Sequence, residues 1–144
     1  MPINTETYTT KLQVRPDDID MFGHVHSSRY MDFVLAARFE QMERCYRMSM
    51  QEFLDHNLGW YLSGTELRFL RPLKMGDFMD VQTRIVDMGT ASVRVEFTIL
   101  LSASGKTSCK GWAEYVLVDV KSGRSKSIPD WIIQRYSLPD DSIS

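Results

Sequence analysis

The sequence predicts an α+β domain in which one antiparallel sheet wraps around a single long central helix. Three observations support this fold class: one long segment lacks glycine and proline, four later segments alternate apolar with polar residues, and short turn-like stretches connect them. Because a sheet must cover its apolar face, we expect the long helix, the largest element available, to lie against it. The chain has 144 residues, and we expect residues 1–144 to form one domain.

The N-terminal part is predicted to form one strand followed by the long helix. Residues 7–14 are rich in Thr, Val and Tyr, which favour strands, and Pro16 ends this segment. Gly23 marks a turn. We expect the helix to run from Ser28 to about Met50, with Ser27 or Ser28 as its N-cap.

Apolar residues cover most of the circumference of this helix, so we expect it to be enclosed. Tyr30, Phe33 and Ala37 lie on one side of it. Arg38 lies among the apolar positions, where it either extends its charged end to solvent or contacts a buried partner. The main apolar arc, at helical spacing, contains Met31, Val34, Leu35, Phe39, Met42, Cys45 and Tyr46.

The rest of the chain is predicted to form four strands and a short final segment. Val93, Val95 and Phe97 alternate with Arg94 and Glu96, a pattern typical of a half-buried antiparallel strand. Turns that contain glycine or proline separate the segments, which indicates hairpins. The predicted strands are Trp60–Arg71, Asp77–Met88, Ala91–Leu101 and Thr107–Val120, and the final segment is Asp130–Tyr136.

The composition argues against several classes of protein. The formal net charge is −2, whereas proteins that bind nucleic acid or acidic membranes are usually basic. Two cysteines, Cys45 and Cys109, cannot form a disulfide framework, and no Cys/His spacing fits a zinc site. No secretory signal and no apolar run long enough to span a bilayer is visible, so we expect a cytoplasmic protein. We expect no metal or other cofactor.

Residues Val14–Tyr30, VRPDDIDMFGHVHSSRY, combine Asp-x-Asp with a following Gly-His-Val, polar residues and an aromatic residue. This segment resembles the signature of the hotdog-fold acyl-CoA thioesterases, in the 4-hydroxybenzoyl-CoA thioesterase branch. Thr65–Val81, with its proline and its Gly-Asp pair, is similar to the second strand and turn of that family. The resemblance implies a hotdog fold, an acyl-CoA substrate, and a homodimer or homotetramer with active sites between subunits.

By this resemblance Asp20, the second Asp of the Asp-x-Asp pattern, is the catalytic carboxylate. Thioester hydrolysis requires either a base that activates water or a carboxylate that attacks the carbonyl carbon. A carboxylate held beside a helix N-terminus and a bound acyl group gains orientation and proximity to that carbon. Without the surrounding motif, Asp18 and Asp20 would instead be assigned to a solvated loop or to helix capping.

The resemblance places the other site residues around the start of the helix. The backbone amide near Ser27 matches the family's oxyanion donor, because unpaired N–H groups and the helix dipole stabilise negative charge; an ordinary capped helix is the alternative. Gly23 permits a tight turn before the helix, His24 orients the loop, and Tyr30 lines the acyl pocket or packs in the core. His26, where the family often has Asn, either orients the substrate or belongs to a surface loop.

Two further carboxylates and two groups of basic residues are candidates for roles in the same chemistry. Glu40 matches the helix position of the carboxylate in a second hotdog branch, but the His-Gly-Gly pattern of that branch is absent, and a solvated helix face is expected for Glu40 and Glu43. The phosphates of coenzyme A would meet scattered cations, since the chain has no phosphate loop. The candidate groups are Arg68, Arg71 and Lys74, and Lys121, Arg124 and Lys126.

Three other functions share this fold. A thioesterase for acyl chains on acyl carrier protein would need a basic rim around its pocket, because that carrier is acidic. A non-catalytic acyl-CoA-binding module would keep the pocket without turnover. A hydratase is disfavoured, because Asp20 and His24 are one residue closer than its motif requires. The sequence also lacks the Gly-x-Ser-x-Gly nucleophile elbow of serine hydrolases.

Overall fold

In the computed structural model, which describes residues 2–137, five antiparallel strands form one sheet in the order β1–β3–β4–β5–β2. A long helix, α1, packs against β1 and β3 and contributes to a single core cluster. The strands are β1 Tyr8–Gln13, β2 Leu58–Phe69, β3 Phe78–Met88, β4 Ser92–Leu101 and β5 Thr107–Asp119. The helices are α1 Tyr30–Arg44, α2 Met50–Asp55 and α3 Asp130–Arg135. The predicted α+β class is confirmed.

Strand alternation produces the buried face of the sheet. Along β4, the side chains of Val93, Val95, Phe97 and Ile99 are buried, while the residues between them are more exposed. Successive side chains of a strand point to opposite faces, so one face of β4 covers the core and the other faces outward. The four strands predicted after residue 59 all form, with bounds within a few residues of those expected.

The long helix ends earlier than the sequence pattern predicts. α1 stops at Arg44, and Arg47 adopts a positive φ of 58°, which the continuous helix to Met50 would not allow. A separate helix, α2, then begins after Ser49, whose side chain accepts a hydrogen bond from the N–H of Glu52 at 3.2 Å. The spacing of this serine and glutamate is an N-terminal helix signature that marks the break.

The predicted N-cap is also wrong. Ser27 and Ser28 lie inside a short 3-10 turn, Ser27–Arg29, and Arg29 occupies the N-cap position of α1 without a side-chain capping bond. The 3-10 turn supplies the first turn of the element, so neither serine hydroxyl is needed to start the helix.

The buried face of α1 differs from the predicted apolar arc. Phe39 is 46% exposed, and Met31 and Leu35 are only half-buried, so residues 2–137 do not enclose the helix. Arg38, by contrast, is 3% exposed, which excludes the interpretation that its charged end reaches solvent. The sheet covers one side of α1, and apolar character alone does not reveal which side. The buried residues of α1 are Tyr30, Phe33, Val34, Ala37, Arg38, Gln41 and Met42.

Gln41 ties α1 to two strands through its buried side-chain amide. Its Nε2 donates to Thr10 Oγ1 at 3.0 Å and to the carbonyl of Val81 at 3.3 Å, and its Oε1 accepts a hydrogen bond from the hydroxyl of Thr83. Thr10 lies on β1, and the other two residues lie on β3. A buried amide requires partners of this kind, because an unsatisfied one costs about 1–3 kcal/mol.

The final predicted segment forms a short helix. α3 covers Asp130–Arg135, and its Ile132 side chain is fully buried. Arg135 pairs with Glu52 of α2, with Nη2 and Oε1 3.1 Å apart, which joins the two short helices. Within residues 2–137, no helix combines the length and the apolar character that crossing a membrane requires.

Candidate active site

The loop between residues 19 and 25 folds back on itself and presents Asp20. The N–H of Asp20 donates to the carbonyl of His24 at 2.7 Å, and the N–H of Gly23 donates to the carbonyl of Asp20 at 3.1 Å. Gly23 has a φ of 77°, a left-handed conformation that glycine adopts without strain. The chain can therefore turn here because Gly23 lies three residues after Asp20.

The carboxylate of Asp20 is held by its own loop. Its Oδ1 accepts hydrogen bonds from the N–H groups of Phe22 at 2.9 Å and His24 at 3.2 Å. Partial desolvation raises the pKa of Asp20, but these two N–H groups and the imidazoles of His26 and His24 outweigh it, so the pKa lies below its usual value. The group is therefore ionised at neutral pH, and its second oxygen, Oδ2, accepts no hydrogen bond from the described residues.

Asp18, the first Asp of the Asp-x-Asp pattern, has a different environment. It is 7% exposed, its Oδ2 accepts a hydrogen bond from the N–H of Arg15 at 2.8 Å, and its Oδ1 lies 3.9 Å from the Nε of Arg29. The carbonyl of Asp18 accepts the N–H of His26 at 3.0 Å. Asp18 therefore stabilises the loop, whereas Asp20 keeps one carboxylate oxygen without a hydrogen bond from the described residues.

The segment that connects β2 to β3 forms the opposite wall. The N–H of Val25 donates to the carbonyl of Leu73 at 2.9 Å, and the N–H of Met75 donates to the carbonyl of Gly23 at 3.2 Å. The N–H of Leu73 in turn donates to the hydroxyl of Tyr30 at 3.2 Å. These bonds fix the distance between the Asp20 loop, the start of α1 and the β2–β3 connection.

A cleft of about 340 Å³ lies between these three elements. The ring of Tyr30 meets the ring of Phe69 edge to face, with centroids 5.1 Å apart, and gives one side of the cleft an aromatic surface. Such a cleft, apolar with a few polar groups, is typical of a small-molecule site. Its lining residues are Asp20, His24, Val25, Ser27, Tyr30, Phe69, Leu70, Arg71 and Pro72.

The structure brings four of the six residues named by the motif into this cleft: Asp20, His24, Ser27 and Tyr30. Gly23 lies behind it and shapes the loop, as its positive φ shows. His26 is exposed and is not among the lining residues.

The sequence did not predict that four consecutive residues would together form a wall of the cleft: Phe69, Leu70, Arg71 and Pro72. They lie in Thr65–Val81, the second segment that resembles the family, but among them the sequence predicted a role only for Arg71, as a candidate phosphate contact. Of the six basic residues considered for coenzyme A phosphates, only Arg71 lines the cleft; its Nη1 donates to the carbonyl of Thr107 at 3.0 Å.

Backbone donors are available at the helix end of the cleft. The N–H groups of Ser27 and Ser28 donate to no carbonyl of the described residues. The first N–H groups of a helix lack intrahelical partners, and the dipole adds positive character at this end. Ser27, whose N–H has no carbonyl partner among the described residues, thus lines the same cleft as the Asp20 carboxylate.

Glu40 is engaged elsewhere. Its Oε1 accepts the hydroxyl of Thr10 at 2.5 Å, and its Oε2 pairs with the Nε of Arg44 at 2.5 Å. The Arg44 guanidinium is the main cause of the lowered pKa of Glu40. This carboxylate lies in a structural ion pair, and it does not line the cleft that holds Asp20. Across residues 2–137, no three His, Cys, Asp or Glu side chains are grouped to hold a metal ion.

The family model and the relatives that match this chain all describe thioesterases. Residues 14–136 match the model described as Thioesterase-like superfamily. The long-chain acyl-CoA thioesterase FadM of Escherichia coli strain K12 is 22% identical over 119 residues, which cover 83% of this chain and 89% of FadM. The acyl-CoA thioester hydrolase YbgC of Escherichia coli O6:H1 is 23% identical over 141 residues, covering 93% of this chain and 98% of YbgC.

A solved structure gives the same fold. A 1,4-dihydroxy-2-naphthoyl-CoA thioesterase from Synechocystis superposes with a TM-score of 0.80 at 17% identity, covering 91% of this chain and 96% of that one. The predicted hotdog fold and the predicted resemblance to acyl-CoA thioesterases are thereby confirmed. Because the family match spans the Asp20 loop, α1 and the whole sheet, the chain belongs to the thioesterase-like superfamily.

Proposed function

We propose that the protein hydrolyses an acyl-CoA thioester to a free acid and coenzyme A in the cleft beside Asp20. One observation carries this proposal: the carboxylate of Asp20, with one oxygen free of hydrogen bonds from the described residues, lines the same cleft as Ser27 at the start of α1. A nucleophile or base on one side and oxyanion donors on the other are the two requirements of thioester hydrolysis.

Asp20 acts in one of two ways. As a general base, its carboxylate takes a proton from water while the water oxygen attacks the thioester carbon. As a nucleophile, it forms an acyl–aspartyl anhydride, and water then hydrolyses the anhydride. In both cases the carbonyl oxygen gains negative charge beside the Ser27 amide, and the C–S bond breaks to release the coenzyme A thiolate, which then takes a proton.

The remaining motif residues have supporting roles in this proposal. His24 borders the carboxylate and donates its backbone N–H to it at 3.2 Å, so it positions Asp20. Gly23 allows the turn that makes this bond. Tyr30 provides an aromatic wall for the acyl group. His26, on the exposed side of the loop, contacts the part of the substrate outside the cleft.

Coenzyme A, not acyl carrier protein, is the carrier we propose. Among the described residues, Arg71 is the only lysine or arginine that lines the cleft, whereas an acidic carrier protein would favour a basic rim. The relatives FadM and YbgC are named as acyl-CoA thioesterases, which also supports coenzyme A.

The test is release of free thiol from a panel of acyl-CoA esters, aliphatic and aromatic, and from the same acyl groups on acyl carrier protein. We expect turnover of at least one acyl-CoA class, at a higher kcat/KM than its carrier-bound counterpart. Faster turnover of the carrier-bound form would instead assign the carrier-protein activity. A folded protein that binds acyl-CoA and releases no thiol would be a binding module and would contradict the proposal.

We also propose that two copies pair through the β2 edge, alone or as half of a tetramer. β2 is a terminal strand of the sheet and so exposes unpaired backbone groups. The half-covered flank of α1 borders it, since Met31 Sδ lies 3.7 Å from Thr65 Oγ1 on β2. This flank, Met31, Leu35 and Phe39, and the β2 edge would be buried together.

Light scattering is expected to give two or four times the 16.7 kDa chain mass. Leu35→Glu should shift the protein toward the single-chain mass, because it places a charge in the proposed interface. Glu43→Gln, on the exposed side of α1, is the matched control and should leave the mass unchanged. A native protein with the mass of one chain would contradict the pairing.

We also propose that the protein is cytoplasmic. Cys45 and Cys109 are both free thiols, as is usual in reducing compartments. Cell fractionation with an antibody to the native chain tests this location, and recovery in an extracellular fraction would contradict it.

A further inference from the structure

A buried polar cluster lies within the core, away from the cleft. Arg38 of α1 is 3% exposed, and its guanidinium carbon lies 5.4 Å from the ring centroid of Tyr115 on β5. The ring centroids of Tyr136 and Trp60 are 6.3 Å apart. Together we call Arg38, Trp60, Tyr115 and Tyr136 the Arg38 cluster. None of the four lines the cleft of Asp20.

The Arg38 cluster holds most of the unsatisfied polar groups in the core. Among residues 2–137, five buried side-chain polar atoms have no hydrogen-bond partner, and four of these belong to the cluster. Guanidinium and indole N–H groups only donate, and each phenol proton also needs an acceptor. The four atoms are Arg38 Nη1, Trp60 Nε1, Tyr115 OH and Tyr136 OH.

The charge of the cluster is also uncompensated. A guanidinium does not lose its proton in a protein, so Arg38 keeps its positive charge in the core. No carboxylate of residues 2–137 forms an ion pair with Arg38. Buried charges are almost always paired, because an isolated one costs several kcal/mol.

We propose that the Arg38 cluster binds one small monovalent anion, of halide size, taken from solution. An anion accepts hydrogen bonds from several donors at once and compensates the guanidinium charge. Enclosed water would accept some of these hydrogen bonds but would leave the positive charge unpaired. The site is separate from the candidate active site and is filled through local opening of the core around α1 and α3.

Crystals grown in sodium bromide give the direct test. We expect an anomalous bromide peak within hydrogen-bond distance of Arg38 Nη1 and of at least one of the two phenol oxygens. A water molecule at that position, no density, or a carboxylate of the chain itself on the guanidinium would each overturn the proposal.

Thermal unfolding gives the solution test. In bromide, compared with gluconate at equal ionic strength, the native Tm should rise by about 5 °C for each tenfold increase in anion above its Kd. Tyr136→Phe removes one donor and keeps the ring, so it should lose most of this difference. Tyr61→Phe, whose side chain is exposed, is the control and should retain it.

Tyr115→Phe is the second variant and replaces Tyr136→Phe if that protein does not fold. The proposal would be overturned if both phenylalanine variants kept the full difference in Tm between bromide and gluconate. It would also be overturned if the unfolding curves of the native protein coincided in the two salts.

Discussion

Replacing Asp20 with asparagine is expected to lower kcat for thioester hydrolysis about 1,000-fold. The amide keeps an oxygen that accepts the N–H groups of Phe22 and His24, so the loop should retain its shape. It cannot take a proton from water, however, and it does not attack the carbonyl carbon. Thiol release from the best acyl-CoA ester, with Tm measured in parallel, is the appropriate assay.

Asp17→Asn is the matched control for this experiment. Asp17 lies three residues before Asp20 in the same acidic stretch, but its side chain is 63% exposed and pairs only with Arg15 among the described residues. We expect near-native kcat from this variant. If Asp20→Asn turned over substrate as fast as the native protein, Asp20 would have no catalytic role, although thioesterase activity itself would stand.

Replacing Gly111 with alanine is expected to lower the free energy of unfolding by about 3 kcal/mol. A Cβ added at this position would lie 1.8 Å from the carbonyl oxygen of Glu66 and 3.0 Å from Cζ of Phe97. The first contact is with backbone, which cannot rotate away, so β2 and β5 must separate locally. Urea unfolding, followed by far-ultraviolet circular dichroism, measures the change.

Gly64→Ala on β2 provides the comparison. An added Cβ there would lie 3.6 Å from Trp112, an ordinary van der Waals contact, so we expect a change below about 1 kcal/mol. Equal unfolding midpoints for the two alanine variants would show that β2 approaches β5 less closely than described. A large loss of stability in Gly111→Ala would show that β2, the strand at the proposed subunit edge, can pair with β5 only because position 111 has no side chain.

The strands were predictable because each depends on a local pattern. In β4, the alternation of Val93, Val95 and Phe97 with charged residues specifies both the strand and its buried face. The end of α1 was not predictable from composition, because no glycine or proline marks it. The chain leaves the helix through Arg47 in a left-handed conformation, and only the Ser49 and Glu52 pair signals the restart.

The candidate site was predictable where it follows one contiguous motif. The motif led to Asp20, His24, Ser27 and Tyr30, which the fold brings into one cleft. The other wall comes from residues 69–72, about forty positions later, where the sequence alone gave a role only to Arg71, as a candidate phosphate contact. The surroundings of Arg38 were equally hidden, because Tyr115 on β5 and Tyr136, which follows α3, are distant from Arg38 along the chain.

The buried amide of Gln41 limits how the molecule can open to admit a substrate. It is bonded at once to Thr10, Val81 and Thr83, so an axial slide of α1 by one helical turn, about 5.4 Å, would break every one of these bonds. α1 is therefore held in place along its axis, and access of a substrate to the cleft depends on the segments that border it. The Asp20 loop is in turn bonded to the β2–β3 connection, with the N–H of Val25 2.9 Å from the carbonyl oxygen of Leu73, so widening the entrance has to break bonds on that side of the cleft.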